Sequence, residues 1–381
     1  MALPRSSLIV AVLLVITAAS AGRAEIKIGY AGPLSGPLST TGHRNQVAVE
    51  TAVYALNRKG GILGDLVELV IADDACGIER AGSAAEELID AGVVLVVGHI
   101  CSHSSLVAAG YYEAADVLMI TPSSTHPRVT EEGRRNVFRL TGRDDDQGRL
   151  AGDLLAVACA GRRIAILHDD STYGVGLAGE MRKRLRANGV EEVLFESYAP
   201  NQEHYTELGK RLNWLKADVI YVGGYGPDAA RILRSAREAG SDLRMIGGDG
   251  IGMDEFWTVA QPVGEGTIFS ERPQAEPGSS DVEDVLAQFE ARGLGSRTGG
   301  LGAYAAVQAW ALAVDRIDSV ATAEVARLLR RGHFETVLGR IGFDQKGDLE
   351  GAGWSWYVWS EGTHRPLNAP ADQFYLHQLC S

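Results

Sequence analysis

Short apolar runs alternate with longer amphipathic segments through the first part of the chain. Four runs have the length of buried strands; they cover residues 26–31, 67–72, 93–97 and 117–120. Apolar positions three or four residues apart predict helices over residues 44–58, 79–91 and 105–115. Strands and helices that alternate in this way form βαβ units, and such units build a parallel sheet.

A second alternation begins after the acidic run Asp144-Asp145-Asp146. Its predicted strands cover residues 164–167, 193–195, 219–222 and 245–246, and its predicted helices cover residues 146–158, 176–188, 205–215 and 229–239. Helices predicted at 282–292, 303–317 and 322–331 and a strand at 354–359 follow without a third βαβ series. We therefore predict an α/β fold with two lobes, to which the late segments return by several crossings.

Polar clusters follow three of the early strands. They are Asp73-Asp74-Ala75-Cys76, Gly98-His99-Ile100-Cys101-Ser102 and Thr121-Pro122-Ser123-Ser124-Thr125. The carboxyl ends of parallel strands meet at one edge of a sheet, and ligands of open α/β sheets bind outside that edge. The clusters therefore predict a pocket for a small polar ligand.

Residues 1–24 have the pattern of a secretory signal peptide. Arg5 precedes an apolar run over residues 8–19, and small residues follow. This run is too short to span a bilayer, and no other run approaches the ~20 apolar residues that a spanning helix needs. The remaining chain is longer than one core comfortably supports, which agrees with two domains.

The charge balance excludes one class of partner. The formal net charge is -13, and removal of Arg5 and Arg23 with the signal peptide would lower it by two to -15. Nucleic-acid binding needs a basic face, so no nucleic-acid partner is expected.

Export would place the four cysteines in an oxidising compartment, where disulfides form. Cys76 and Cys101 each follow the carboxyl end of a predicted strand, and neighbouring strands bring such loops together. We therefore predict a Cys76–Cys101 disulfide. Cys159 ends a predicted helix and Cys380 is the penultimate residue, and the sequence leaves open whether these two pair.

Many short motifs occur here in the order seen in periplasmic leucine/isoleucine/valine-binding proteins, the receptors of branched-chain amino-acid ABC importers. The motifs are Ser35-Gly36-Pro37, Lys59-Gly60-Gly61-Ile62, Asp73-Asp74-Ala75-Cys76, Gly98-His99, Ile120-Thr121-Pro122, Thr141-Gly142-Arg143-Asp144, Asp146-Gln147-Gly148, Ile166-Leu167-His168-Asp169, Tyr173-Gly174, Gly223-Gly224-Tyr225 and Phe343-Asp344-Gln345-Lys346-Gly347-Asp348. The chain resembles this family over nearly all of its length after the signal peptide.

The resemblance implies a type I periplasmic binding protein fold, with two Rossmann-like lobes joined by three hinge crossings. It assigns residues 25–143 and 273–351 to lobe 1, and residues 144–272 and 352–381 to lobe 2. A ligand would bind in the cleft between the lobes, which closes by a hinge motion. The resemblance further implies a monomeric periplasmic receptor without enzymatic activity, cofactor or metal, which delivers an amino acid to an inner-membrane ABC permease and its ATPase.

The resemblance also assigns the ligand contacts. Ser102 and Thr125 would bind the α-carboxylate, helped by the positive end of the helix that starts near Ser102. The Ser123 carbonyl, the Thr125 hydroxyl and Asp249 would bind the α-ammonium. The family usually has glutamate where this chain has the shorter Asp249. The family's aromatic residues that cover the ligand match Tyr173 and Tyr225.

Two positions of the side-chain pocket depart from the family pattern. Residue 41 is threonine and residue 299 is glycine, where the resemblance leads us to expect large aromatic residues. Losing both aromatic walls would enlarge the pocket. Thr41 and Gly299 therefore predict a ligand that is bulkier or more polar than leucine, isoleucine or valine.

Structural roles compete with these assignments. Ser102 and Thr125 could be helix N-caps only, and Asp249, within a glycine-rich segment, could be a turn residue only. Tyr173 and Tyr225 could be ordinary aromatic residues on the lobe surface.

Single motifs are compatible with other functional classes. His99, Cys101 and His103 alternate along one stretch and could ligate a metal ion. A secreted hydrolase could use His168 with Asp169, or a free Cys101, as catalytic groups. A sensory receptor would share the fold and the binding chemistry of a transport receptor, so the sequence leaves that alternative open.

Overall fold

The structure, a computed structural model, describes residues 25–273, 280–294, 299–367, 372 and 379–380. The predicted signal peptide, residues 1–24, lies outside the described residues. None of the described helices is both long enough and apolar enough to cross a bilayer.

The first lobe contains a five-stranded sheet in the order β2-β1-β3-β4-β5, with parallel pairing throughout. Its strands are β1 Glu25–Gly32, β2 Leu66–Asp73, β3 Leu95–Gly98, β4 Leu118–Thr121 and β5 Val137–Arg139. The helices between them are α1 Ser39–Arg58, α2 Ile78–Asp90, α3 Ser102–Ala114 and the short α4 Arg128–Glu131. The strands are apolar on both faces because helices cover both sides of the sheet.

The second lobe contains a seven-stranded sheet in the order β14-β13-β10-β9-β8-β6-β7. The strands from the middle of the chain are β6 Ile164–Asp169, β7 Leu194–Tyr198, β8 Val219–Gly223, β9 Arg244–Gly247 and β10 Ile268–Glu271. Its helices are α5 Asp144–Ala158, α6 Thr172–Ala187, α7 Thr206–Trp214, α8 Gly226–Glu238 and α9 Asp254–Ala260.

The chain then returns to each lobe in turn. The first core receives α10 Ser280–Ala291, α11 Leu301–Ile317, α12 Thr322–Leu329, β11 His333–Thr336 and β12 Gly339–Gly342. Trp310 of α11 is fully buried in that core. The strands β13 Ser355–Ser360 and β14 Thr363–Pro366 join the second sheet, where β13 runs antiparallel to β10. The chain therefore crosses between the lobes after β5, after β10 and after β12, which confirms the predicted fold with two lobes and three crossings.

The differences from the sequence prediction fall on short elements. The elements that were not predicted are strands β5, β10, β11, β12 and β14 and helices α4 and α9, because three to seven residues contain too few apolar positions to reveal a period. Helix α1 begins at Ser39, earlier than predicted, since its first turn is polar and contains Gly42.

Each lobe contains one disulfide. Cys76 pairs with Cys101 in the first lobe, as predicted, and their Cα atoms lie 5.6 Å apart. Cys159 pairs with Cys380 in the second lobe, with a Cα–Cα distance of 5.2 Å, which resolves the pairing that the sequence left open. The second disulfide attaches the end of the chain to the end of α5.

Candidate functional site

The carboxyl ends of the strands of both sheets border a cleft between the lobes, and a cavity of about 140 Å³ lies in this cleft. Four of the predicted site residues line this main cavity: Thr41, Ser123, Asp249 and Gly299. The other residues that line it are Arg44, Asn45, Pro122, Thr141, Gly252, Met253, Asp254, Glu271, Arg272, Gly300, Leu301, Gly302, Leu338 and Trp354. The cleft is the position at which open α/β sheets bind ligands.

Ser102 and Thr125 are buried beside this cleft, with 2% and 1% of their surface exposed. Ser102 is the first residue of α3, and its hydroxyl accepts a hydrogen bond from the backbone N–H of His126 at 3.3 Å. This contact brings Ser102 next to Thr125. Neither residue is an N-cap: Cys101 precedes α3, Pro127 precedes α4, and neither helix has a side-chain cap.

Asp249 begins a 3₁₀ turn directly after β9. Its Oδ1 accepts hydrogen bonds from the amide of Gln147 at 3.0 Å and from the hydroxyl of Tyr173 at 2.8 Å. Burial raises the pKa of the Asp249 carboxyl above its usual range, against the opposing effect of these hydrogen bonds. Asp249 is thus a turn residue and also a partly buried acid at the cavity.

Asp144, the first residue of α5, is an acid of the site that the sequence analysis missed. It is fully buried, and Thr125 is its immediate neighbour: the backbone N–H of Asp144 donates to the Thr125 carbonyl at 3.0 Å, and the Thr125 side chain acts on the carboxylate. Burial, and then the neighbouring Asp249 carboxylate, raise the pKa of Asp144 well above its usual range. A bound cation would relieve the repulsion between these two acids. The sequence signal for this acid is the Asp144-Asp145-Asp146 run, which by its position marks only the start of the second alternation of strands and helices.

Tyr173 and Tyr225 form an aromatic pair, with ring centroids 5.2 Å apart. Tyr173 is 3% exposed; its hydroxyl donates to Asp249 and accepts a hydrogen bond from the backbone N–H of Gly250 at 3.0 Å. The interpretation as surface aromatics is therefore wrong for Tyr173. Tyr225 immediately precedes α8 and is partly buried.

A second cavity, also of about 140 Å³, lies between the lobes beside the Cys76–Cys101 disulfide. Its lining residues from both lobes include Cys76, His103, Asp169, Tyr225 and Asp228. Burial raises the pKa of Asp169 to about 6. Tyr225 places this second cavity next to the aromatic pair.

Thr41 lines the main cavity, but it also contacts the opposite lobe. The backbone N–H and the hydroxyl of Thr41 donate to the two carboxylate oxygens of Glu255, at 2.8 and 2.9 Å. Next to this contact, Arg44 of α1 forms an ion pair with Asp254 of α9. Sequence analysis missed both acids, because their partners lie more than 200 residues earlier in the chain.

Gly299 does leave space at the main cavity. A Cβ atom built on this glycine would approach only the Cδ atom of Arg44, at 3.5 Å, which is an ordinary van der Waals distance. The position can therefore accept a side chain without displacing its neighbours.

The other motifs have structural partners. Nδ1 of His99 lies 2.6 Å from Asp74 and Nε2 lies 3.0 Å from the hydroxyl of Tyr112, all three being buried within the first lobe. His103 donates from Nε2 to the Cys76 carbonyl at 2.7 Å. The sulfurs of Cys76 and Cys101, although close to His103, are bonded to each other. The predicted trio therefore does not present three ligands to a metal ion.

The hydrolase alternative has no support in this geometry. Nδ1 of His168 lies 3.0 Å from the backbone carbonyl of Asp169, not from its carboxylate. The Asp169 carboxylate accepts hydrogen bonds from the backbone N–H and hydroxyl of Ser171 at the start of α6. Cys101 is not a free thiol.

Comparison with known proteins agrees with this architecture. The sequence profile of the family described as "Periplasmic binding protein" matches residues 25–354. The chain belongs to this family. A leucine-, isoleucine-, valine-, threonine-, and alanine-binding protein of Pseudomonas aeruginosa is 35% identical over 341 residues, which cover 89% of this chain and 91% of the relative. A Leu/Ile/Val-binding protein of Rhizobium johnstonii is 34% identical, over 89% of this chain and 93% of the relative.

Solved structures of family members have the same fold. A leucine-binding protein of Thermotoga maritima superimposes with a TM-score of 0.81 at 25% identity, covering 91% of this chain and 99% of that structure. A branched-chain amino acid transporter substrate-binding protein of Streptococcus pneumoniae, in complex with isoleucine, gives a TM-score of 0.78 at 25% identity, covering 90% and 98%. The resemblance inferred from the motifs is thereby confirmed, and so is the type I periplasmic binding protein fold.

Proposed function

We propose that this protein is a periplasmic receptor that binds an amino acid between its lobes and delivers it to an ABC permease and its ATPase in the inner membrane. The ligand is a branched-chain amino acid or a related, bulkier one. The observation that supports this proposal best is a pair of acids, the buried Asp144 and the partly buried Asp249, next to the segment that contacts Ser102 at the start of α3. An α-amino acid has one cationic and one anionic group on the same carbon, and this site is complementary to both.

The anionic half of the ligand is proposed to bind at Ser102 and Thr125. The first N–H groups of a helix have no partner within the helix, and the helix dipole favours a negative charge there. Ser102 opens the 13-residue helix α3, so its hydroxyl and the first-turn N–H groups are available to a carboxylate. The Thr125 hydroxyl would complete this half of the site.

The cationic half is proposed to bind at Asp249 and Asp144, with the carbonyl of Ser123. An ammonium group that donates to these acids offsets the unfavourable burial of two nearby carboxylates and lowers their pKa values again. Tyr173 orients Asp249 by its hydrogen bond and, with Tyr225, covers the ligand from the second lobe.

The contacts between α1 and α9 support binding by hinge closure. The Thr41–Glu255 hydrogen bonds and the Arg44–Asp254 ion pair join the two lobes across the cleft, so opening the cleft would separate these partners. We place the lobe boundaries at residues 143/144, 272/273 and 351/352, between the secondary elements that enter different cores. Residues 1–24 are proposed to direct export and to be cleaved, and the receptor is proposed to act as a monomer without catalysis.

The test is isothermal titration calorimetry with a panel of amino acids, using the wild type, Asp249→Asn and the control Asp315→Asn. Asp315 is an exposed acid on α11, so its change removes the same charge outside the cleft. Truncating one member of a buried, hydrogen-bonded charge pair costs roughly 2–5 kcal/mol. Asp249→Asn should therefore weaken binding by about 30-fold or more, while Asp315→Asn leaves it unchanged.

Two results would contradict the proposal. If no amino acid binds the wild type, the ligand class is wrong. If Asp249→Asn changes affinity less than about threefold, the ammonium is held elsewhere.

Delivery is tested separately by uptake of the bound amino acid in cells with and without the permease genes. Normal uptake without the permease, or a requirement for a signalling partner instead, would favour the sensory alternative.

A further inference from the structure

An arginine of the second lobe lies at the same sheet edge as the proposed ammonium site. Strand β10 is parallel to β9, with Phe269 paired to Gly247. The residues that follow β10 therefore lie beside the turn that begins at Asp249. Arg272 directly follows β10, and both Arg272 and Asp249 line the main cavity.

The guanidinium of Arg272 is a partly exposed cation at the main cavity, and it has no hydrogen-bond partner among the described residues. Glu271 is its nearest charged neighbour in sequence and acts on it only through space. Burial lowers the pKa of Arg272 in spite of the favourable charge of Glu271. An arginine that lines a cleft without a protein partner keeps its N–H groups available to an anionic group of a ligand.

The other charged groups that line the cavity already have partners. Arg44 binds Asp254 and the carbonyl of Leu294. Asp249 binds Gln147 and Tyr173. The carboxylate of Glu271 lies 3.7 Å from the imidazole of His364. Among the described cations of this cavity, Arg272 alone is without a hydrogen-bonded partner.

The lining of the cavity is mixed: its apolar members are Pro122, Met253, Leu301, Leu338 and Trp354, and the others are polar residues or glycines. The two positions that would supply aromatic walls are Thr41 and Gly299, and Asn45 and Thr141 line the same space. A leucine side chain in this cavity would leave the Arg272 guanidinium without an anionic partner.

We propose that Arg272 is a specificity-determining residue that binds a carboxylate at the end of the ligand's side chain, so that the preferred ligand is an acidic amino acid. This inference rests on the proposed function, because Ser102, Thr125 and Asp249 must hold the α-carboxylate and α-ammonium. The side-chain carboxylate then accepts hydrogen bonds from the planar guanidinium, the geometry in which arginine binds carboxylates best.

The experiment is calorimetric titration of the purified protein with L-glutamate, L-glutamine and L-leucine. Glutamine has the shape of glutamate without its side-chain charge, so the ratio of the two affinities isolates that charge. The variants are Arg272→Met, which keeps an unbranched apolar stem, Arg272→Lys, which keeps the charge, and Arg244→Met. Arg244 is an exposed arginine at the other end of the neighbouring strand β9, so it is a matched control.

We expect the wild type to bind glutamate at least about tenfold more tightly than glutamine. Arg272→Met should weaken glutamate binding by about 30-fold or more and change glutamine binding by less than about threefold. Arg272→Lys should recover part of the loss, and Arg244→Met should match the wild type. Thermal denaturation of each variant verifies that it is folded.

The outcomes separate this inference from the proposed function. If the wild type binds leucine or glutamine more tightly than glutamate, the inference is overturned while the amino-acid receptor stands. A preference for glutamate that persists in Arg272→Met overturns it equally, since another group must then bind the carboxylate. If none of the three amino acids binds and Asp249→Asn has no effect on any ligand of the wider panel, the proposed function itself fails.

Discussion

The contact between Thr41 and Glu255 offers a direct test of how the lobes close. Glu255 is 8% exposed and accepts two hydrogen bonds across the cleft, from the N–H and the hydroxyl of Thr41. Glu255→Ala removes both bonds, whereas Thr41→Val removes only the hydroxyl bond and keeps the backbone donor. Glu238→Gln, a change of an exposed glutamate on α8, serves as the control.

The size of the effect follows from these bonds. A hydrogen bond to a charged group contributes roughly 1.5–3 kcal/mol net. We take about 2 kcal/mol for the whole contact, because the open cleft lets water bind the same carboxylate. The closed state would then lose about 30-fold in population relative to the open state. For a receptor that is mainly open without ligand, ligand affinity falls by the same factor.

Two measurements follow this equilibrium. Small-angle X-ray scattering gives the radius of gyration with and without ligand, and calorimetry gives the dissociation constant. Glu255→Ala should require about 30-fold more ligand to reach the smaller radius. Thr41→Val should have a smaller effect, and adding it to Glu255→Ala should have none, because the partner is already absent. If Glu255→Ala binds and closes like the wild type, the contact does not stabilise the closed state and this reasoning is wrong.

Three further outcomes are expected. Because the raised pKa values of Asp144 and Asp249 let the native state keep protons that the unfolded chain releases, the ligand-free protein should lose stability as pH rises above about 4, the ordinary pKa of an aspartate. Thermal denaturation should show a shallower loss for Asp144→Asn, and an equal slope would contradict the assignment. Gly299→Phe should shift selectivity toward leucine by about 0.8 kcal/mol for each CH₂ group that it helps to bury, measured by calorimetry; unchanged selectivity would mean that residue 299 does not face the ligand. Thiol labelling of the denatured, unreduced protein should leave Cys76 and Cys101 unmodified, and rapid labelling of either would exclude the disulfide.

The parallel strands of both lobes could be predicted from sequence because each is a continuous apolar run. The register of these strands could not be predicted. Strands β10, β11 and β12 could not be predicted either, since short strands are specified by the neighbours they pair with. Strand β10 illustrates the consequence: without it, Arg272 had no predicted position in the cleft and was not recognised as a candidate site residue.

The candidate site shows the same division. Residues that directly follow predicted strands, such as Ser123 and Asp249, could be placed at the cleft from sequence. Glu255 could not, because its role depends on a partner 214 residues away in the other lobe. Thr41 was interpreted only as a missing wall, whereas its hydroxyl and N–H contribute to the contact between the lobes.

The position of β13 in the second sheet has a consequence for biosynthesis. Strand β10 lies between β9 and β13, and β13 comes from the last 30 residues of a 381-residue chain. Because synthesis begins at the amino terminus, β10 exposes an unpaired edge until almost the whole chain has emerged, and unpaired edges promote aggregation. The second lobe therefore cannot complete its sheet during translation, whereas the five strands of the first sheet are available early. This delay keeps the second lobe incompletely folded until residues 355–360 have been made.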